Sequence, residues 1–472
     1  MSNIRILVVI AGIGLIWSCP GFAQGQLDGR WQGAIEIQGT SLTIEVTFTT
    51  TPQGLTASID IPQQGAKGLA LKNVRFEAPK MHFELPVGPG LAVFEGVLQD
   101  NVISGTFQQG TAAGPFTVKR GSARPAPTRA GEPLPYGSDE VTVKNGEVTL
   151  GGALSLPGGS TPAPALVFIT GSGAQDRDED VFGFKVFRIL ADHLTRSGFA
   201  VLRLDDRGVG KSTGNLGNST DEDFASDVLA AVAYLKTRKE IDPARIGLLG
   251  HSEGGLVAPL AAARSRDVAF IVLMAGPAVT GERIMLVQND LVGRAEGSPE
   301  ADIKANAEIQ RRMFAAVKSN QGWDEVDAAI RRLVLAKIAR MPADQQKAIP
   351  DAEALAAKTA ATQIAGAKTP WFRYLLTYDP TPVLAKVTCP ALAFFGEKDV
   401  QVPAELNRRE MIAAFERGGN KAAVVKVIAG ANHLFQSAKT GSVSEYATLP
   451  KAFTPEFLDT LTAWLKITNR IK

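Results

Sequence analysis

Six short runs in the second part of the chain are apolar at nearly every position: residues 165–170, 200–204, 246–250, 270–274, 391–395 and 424–428. A strand with one face in water alternates apolar and polar residues, so runs like these must be covered on both faces. Stretches with helical spacing lie between them, at 182–197, 221–236 and 254–263. Buried strands alternating with helices predict a mostly parallel sheet flanked by helices. Two alternating strands, 140–144 and 147–156, precede it. Residues 279–370 break the rhythm. They are rich in Ala, Glu, Arg and Gln and contain no strand pattern, so they predict a helical insertion lying as a lid over the C-terminal strand ends.

Residues 25–120 read differently. Segments such as 42–48 and 81–85 alternate strictly, with glycine-containing breaks between them, which predicts a small all-β domain of seven or eight strands. Trp31 is expected to plug its core, and His82 to be a surface or packed side chain. Residues 121–138 hold Pro125, Pro127, Pro133 and Pro135 and read as a stiff linker to a catalytic domain spanning 139–472. With 472 residues, more than one domain is expected.

The first 23 residues have the pattern of a signal peptide. Arg5 precedes an apolar stretch at 6–17, and Gly21-Phe22-Ala23 offers small residues for cleavage after Ala23. The apolar stretch is too short to span a bilayer. A periplasmic or secreted protein without stable membrane insertion is therefore expected. The alternative is a lipoprotein signal ending at Cys19, which the bulky Trp17 fits poorly. With cleavage after Ala23, Cys389 would be the one thiol of the mature chain, read as a buried small side chain. The net charge of +2, from 50 basic and 48 acidic residues, shows no basic stripe, which argues against a nucleic-acid partner.

Chemistry concentrates in three loops. Gly250-His251-Ser252-Glu253-Gly254 lies between an apolar strand and a helix, the context in which a serine is presented on a sharp turn. A serine hydroxyl needs a base, and histidine titrates near neutrality. Of the four histidines, His82 falls in the β domain, His193 in an amphipathic helix and His251 inside the turn itself, pointing away from Ser252. His433, in a loop after the last apolar strand, is the expected base. Its acidic partner is expected to be Asp399, with Glu397 as competitor; both follow strand 391–395. An oxyanion requires two fixed N–H donors. Glu253 N–H is expected to be one, its side chain having no required role. Ser172 N–H is expected to be the other, with Gly173 next. The run Asp205 to Ser212 lacks the glycine that a phosphate-binding loop requires, because Asp205 stands there. An Asp205–Arg207 contact bracing that loop is expected instead.

By these residues the chain resembles the α/β-hydrolases, whose chain order is Ser, Asp, His, over residues 139–472. The Asp205-x-Arg207-Gly208-x-Gly210-x-Ser212 turn adds to the likeness. More closely, it is similar to secreted bacterial carboxylesterases of the EstD type. They share a β-rich N-terminal domain, a segment like 169–178 and a segment like Trp371 to Pro380. The resemblance implies a serine carboxylesterase acting on small-molecule esters of short to medium acyl chains, with no cofactor. It maps the triad onto Ser252, Asp399 and His433, and the oxyanion turn onto 171–173. A prolyl-type serine aminopeptidase is the alternative. Such an enzyme would use an acidic lid patch to hold a free amine, and Glu282, Asp290, Glu296, Glu300, Asp302 and Glu308 are the candidates. A non-enzymatic surface-binding protein is the remaining class.

Overall fold

The computed structural model describes residues 27–37, 40–51, 54–61, 66–85, 91–109, 112–120, 134–159, 162–341, 343, 346, 349 and 351–471. The signal-peptide reading, Cys19 and linker residues 121–133 lie outside them. The described residues form two compact units, one within residues 27–120 and one within 134–471.

In the first unit nine strands pair antiparallel throughout. The sequence pattern shows fewer, because edge strand Lys72–Glu77 has no fully buried position and so alternates weakly. Two strands consecutive in sequence, Ala66–Ala70 and Lys72–Glu77, stand at opposite edges of the sheet. Leu71, the one residue between them, donates its N–H to Ala57 O on strand Gly54–Ile61 at 2.9 Å, so the chain crosses directly from one edge to the other in a nearly closed barrel. Inward positions carry large rings: Trp31, Phe48, Phe83, Phe94 and Phe116 are buried, and Phe83 stacks on Phe94 with centroids 4.6 Å apart. Trp31 is the expected plug. His82 lies between Glu84 and Glu95.

The second unit is built on an eight-stranded sheet. Its order is Gly137–Asn145, Val148–Leu156, Ala200–Leu204, Ala163–Ile169, Ile241–His251, Phe270–Met274, Ala391–Gly396 and Ala423–Ile428. The first two strands run antiparallel to their neighbours and the rest are parallel. Phe270–Met274 and Ala391–Gly396 are buried at every position, as their apolar runs require. Helices Val186–Arg196, Asp221–Lys236, Gly254–Arg264, Ala404–Arg417 and Pro455–Asn469 flank the sheet. The first of these was expected from residue 182. It begins four residues later, because Phe182 (φ 51°) and Gly183 (φ 79°) turn a short hairpin of Asp180–Val181 and Phe184–Lys185.

Where a helical insertion is expected at 279–370, the described residues form helices Gly281–Ala295, Glu300–Ser319, Trp323–Ala339, Ala352–Ala367 and Pro370–Thr377, the last running past that bound. This insertion has a core of its own, with Phe314, Val317 and Leu376 packed against Met285, Met313 and Phe372. Its last helix is fixed to the sheet unit: Tyr374 OH donates to Glu222 at 2.9 Å and Trp371 Nε1 to Glu253 at 2.6 Å. Among the described residues, no helix is long and apolar enough to cross a membrane.

Two local expectations need correction. Asp205 does not contact Arg207. Instead it accepts from Arg177 N, Nε and Nη2 at 2.8–3.0 Å, while Arg207 reaches Asp227 on helix Asp221–Lys236, Nε to Oδ2 at 2.6 Å. Two turn residues serve two different braces. Cys389 is half-buried rather than buried, and desolvation pushes its thiol up to about 11, so it stays protonated and unreactive.

Candidate active site

Strand Ile241–His251 ends directly in Ser252, whose φ is 53°, and helix Gly254–Arg264 starts two residues later. A non-glycine residue in the left-handed region carries strain that the surroundings must hold. Here Ser252 N–H donates to Met274 O at 2.8 Å, pinning the turn to the next strand. The flanking glycines are sterically required. A Cβ on Gly254 would strike the Ile169 carbonyl, so this turn can pack against strand Ala163–Ile169 only without a side chain.

His433 and Asp399 come from loops after the last two strands. His433 Nδ1 and Asp399 Oδ2 are 2.8 Å apart, and both residues are buried. The other oxygen of Asp399 accepts Gln401 N–H and Val402 N–H, each at 2.8 Å, so the carboxylate is held in place. Glu397, the competitor, points elsewhere: it is exposed and accepts Gly430 N–H at 2.7 Å. The His433 ring lies 4.8 Å from that of His251, the residue before Ser252. Among the described residues, no hydrogen bond joins Ser252 Oγ to His433.

The turn after strand Ala163–Ile169 comes close to this group. A Cβ on Gly171 would lie 3.2 Å from Ser252 Cβ and 3.2 Å from Glu179 Oε1, tighter than ordinary contact. Gly171 N–H is already committed to Glu179 Oε1 at 2.7 Å. Ser172 N–H, Gly173 N–H and Glu253 N–H donate to no described residue, which leaves all three sequence-expected donors available. A cavity of about 70 Å³ adjoins the turn and is lined by Thr170, Gly171, Gly173, Phe224, Glu253 and Val257 among others.

Sequence reasoning missed the acids beneath the turn. Glu179 also receives His251 Nδ1 at 2.8 Å, and His251 Nε2 lies 3.1 Å from His433 O. The available signal was the charged run Asp176 to Asp180 directly after the glycine turn. Burial holds Asp206 well above the usual carboxylate range, despite hydrogen bonds from Thr170 and Gln175. The Glu253 side chain, expected to have no role, is fully buried. It is pushed far up by desolvation and by Asp221, against the opposing pull of Trp371.

Asp221, wholly buried, is raised to about 6 by desolvation and faces Glu253. With both carboxyls ionised neither can donate, and the Asp221 oxygens have no other partner among the described residues. One shared proton turns the contact into a hydrogen bond. This has a consequence for stability. Native Asp221 binds its proton more tightly than the unfolded chain, so its contribution is complete below about pH 4 and is lost as pH rises through about 6. Asp221→Asn removes that titration. In urea unfolding at pH 8 the variant is expected to be more stable than wild type by about 1–3 kcal/mol, a gap that closes at pH 4. Equal differences at both pH values would show that burial does not raise Asp221.

The sheet order, the strained serine turn and the histidine–carboxylate pair at the strand ends define an α/β hydrolase. The family described as serine aminopeptidase, S33 (Hydrolase_4) matches residues 184–437, more than half of the chain, and the chain belongs to it. Esterase EstD of Thermotoga maritima is 27% identical over 306 residues, covering 65% of this chain and 62% of its own length. An uncharacterized protein of Mycobacterium tuberculosis is 36% identical over 154 residues, 32% of this chain and 50% of its own. The chain thus spans less than two thirds of either relative. Among solved structures, proline iminopeptidase from Mycobacterium smegmatis is 17% identical with a TM-score of 0.43, covering 70% of this chain and 99% of that one. Pyrococcus furiosus esterase Pf2001 is 16% identical with a TM-score of 0.41, covering 71% and 92%.

Proposed function

We propose that the chain is a serine carboxylesterase working after export, in the periplasm or outside the cell, with Ser252 as nucleophile, His433 as base and Asp399 as its orienting acid. The observation that carries this reading is the 2.8 Å Nδ1–Oδ2 pair of His433 and Asp399 presented beside the strained Ser252 turn. Asp399 fixes the Nδ1–H tautomer, leaving Nε2 to take the Ser252 proton as Oγ attacks the ester carbonyl. The Nε2 bond to Ser252 Oγ closes when substrate binds, as catalytic hydrogen bonds often do. The N–H groups of Glu253 and Ser172, or Gly173 in place of Ser172, receive the oxyanion. The collapsing intermediate expels the alcohol, which leaves with the proton from His433, and an acyl-Ser252 remains. Water activated by His433 then releases the acid.

Esters fit better than peptides with a free amine, because the lid acids are already engaged. Glu282 pairs with Lys318, Asp290 and Glu300 with Arg294, Glu308 with Arg312 and Asp302 with Arg340. Glu296 accepts from Ser442. Nearer Ser252, burial favours the neutral forms of Glu253 and Asp206, which hold an ammonium poorly. The family description and the density of acids around the turn keep aminopeptidase as the second reading.

The test is hydrolysis of p-nitrophenyl esters from acetate to palmitate beside amino-acid p-nitroanilides. Ester turnover that falls off with chain length while the anilides stay silent is expected. Anilide cleavage at a comparable rate would replace the esterase reading with the peptidase one.

A further inference from the structure

The Ser252 turn, the oxyanion turn and the His433 loop come from three separate strand ends, and catalysis needs them in register to within a fraction of an ångström. One buried carboxylate reaches all three. Glu179 is 1% exposed, and its Oε1 accepts from Gly171 N at 2.7 Å and from His251 Nδ1 at 2.8 Å. His251, 3% exposed, extends the link through Nε2 to His433 O at 3.1 Å.

The chemistry of these contacts fixes a protonation state. A backbone carbonyl can only accept, so His251 Nε2 must carry a proton. An ionised Glu179 also can only accept, so Nδ1 then carries one too, and only the imidazolium donates from both nitrogens. The charged groups facing His251 are Glu179, on the loop before the short hairpin, and Asp399, after strand Ala391–Gly396. The His433 ring is the titratable group beside it. Burial works against the imidazolium, but Glu179, the His433 carbonyl and Asp399 together outweigh it and hold the His251 pKa above its ordinary value.

The backbone points the same way. Glu179 has φ 47°, a conformation that glycine adopts freely and glutamate does not. The opposing wall is Gly171, where a Cβ would come within 3.2 Å of Glu179 Oε1 and 3.5 Å of His251 Nδ1. The remaining Glu179 oxygen is buried and has no partner among the described residues, so the carboxylate is committed through one oxygen to these two donors.

We propose that Glu179 is a positioning residue of this site: one carboxylate oxygen ties the oxyanion turn to a doubly protonated His251, which in turn holds the His433 loop. The proposal rests on the Ser252–His433 reading above. Glu179 touches no reacting atom. It acts by holding Gly171, so that Ser172 and Gly173 N–H face the oxyanion, and by setting the distance between the serine turn and the base loop.

Two measurements test it. In the unmodified protein labelled with ¹⁵N-histidine, the His251 ring, assigned by its loss in His251→Gln, is expected to keep both nitrogens protonated at pH values above the ordinary histidine midpoint. In Glu179→Gln, an isosteric change whose carbonyl oxygen can still accept both bonds but carries no charge to hold the imidazolium, kcat is expected to fall about 100-fold while KM moves less than about threefold. A merely structural residue would lower the melting temperature without that split. A neutral His251 with a single ring proton at pH 7, or a folded Glu179→Gln enzyme with wild-type kcat, overturns the proposal. Ser252→Ala separates this from the underlying reading. If activity is lost there but Glu179→Gln is unaffected, the positioning role alone fails; if activity survives Ser252→Ala, both fail.

Discussion

Ser252→Ala is expected to lower kcat on a short p-nitrophenyl ester by about 10⁶-fold, the scale on which loss of a serine nucleophile is felt in other hydrolases. The variant should fold normally. Ser252 Oγ makes no hydrogen bond to a described residue, and the backbone contact to Met274 O is independent of the side chain. A serine-directed fluorophosphonate should label wild type at Ser252 and leave the variant unmodified, with the two melting curves superimposed. Retention of more than about 1% of the activity, four orders above expectation, would remove Ser252 as nucleophile. The residual rate has a meaning of its own. The N–H donors of Glu253 and Ser172 remain in place in the variant, so any turnover above the uncatalysed rate measures oxyanion stabilisation and binding without the covalent step.

Much of this arrangement was legible in the residues. Strands buried on both faces leave no polar position to confuse the pattern, so 200–204 and 270–274 coincide with the observed Ala200–Leu204 and Phe270–Met274. Helix Asp221–Lys236 was likewise bounded by its own sequence: three acids in its first turn and the Asp223 carboxylate accepting Thr220 N–H at 2.9 Å mark its start. The serine turn, His433 and Asp399 could be singled out because each follows an apolar run, and sheet topology gathers the C-terminal ends of such runs. What the sequence hid are partnerships across long separations. His251 bonds Glu179, 72 residues away, and Glu253 bonds Trp371, 118 away. No local pattern records which of many acids turns inward. The Asp205–Arg207 expectation failed for the same reason. Neighbours in a turn seemed natural partners, but Arg177 and Asp227 offered each residue better geometry from other elements.

Asp399→Asn separates the two acids that sequence alone left in competition. In the native site Asp399 Oδ1 accepts two backbone N–H groups, from Gln401 and Val402, while Oδ2 receives His433 Nδ1–H. An asparagine keeps its carbonyl oxygen toward those two donors, since turning the amide would set N–H against N–H. Its NH₂ group then faces His433 and can only donate. His433 must answer with an unprotonated Nδ1, which moves its proton to Nε2, the atom that has to accept the Ser252 proton. The ring stays in place in the wrong tautomer, so kcat is expected to fall about 10⁴-fold with KM little changed. Glu397→Gln is the matched control. Glu397 is exposed and bonds Gly430 N–H, a contact the glutamine carbonyl can keep, so its kcat should stay within about twofold of wild type. Steady-state kinetics of the two variants side by side decide the assignment. A crippled Glu397→Gln beside an active Asp399→Asn would mean that the His433 loop rearranges in solution and takes its acid from the other residue.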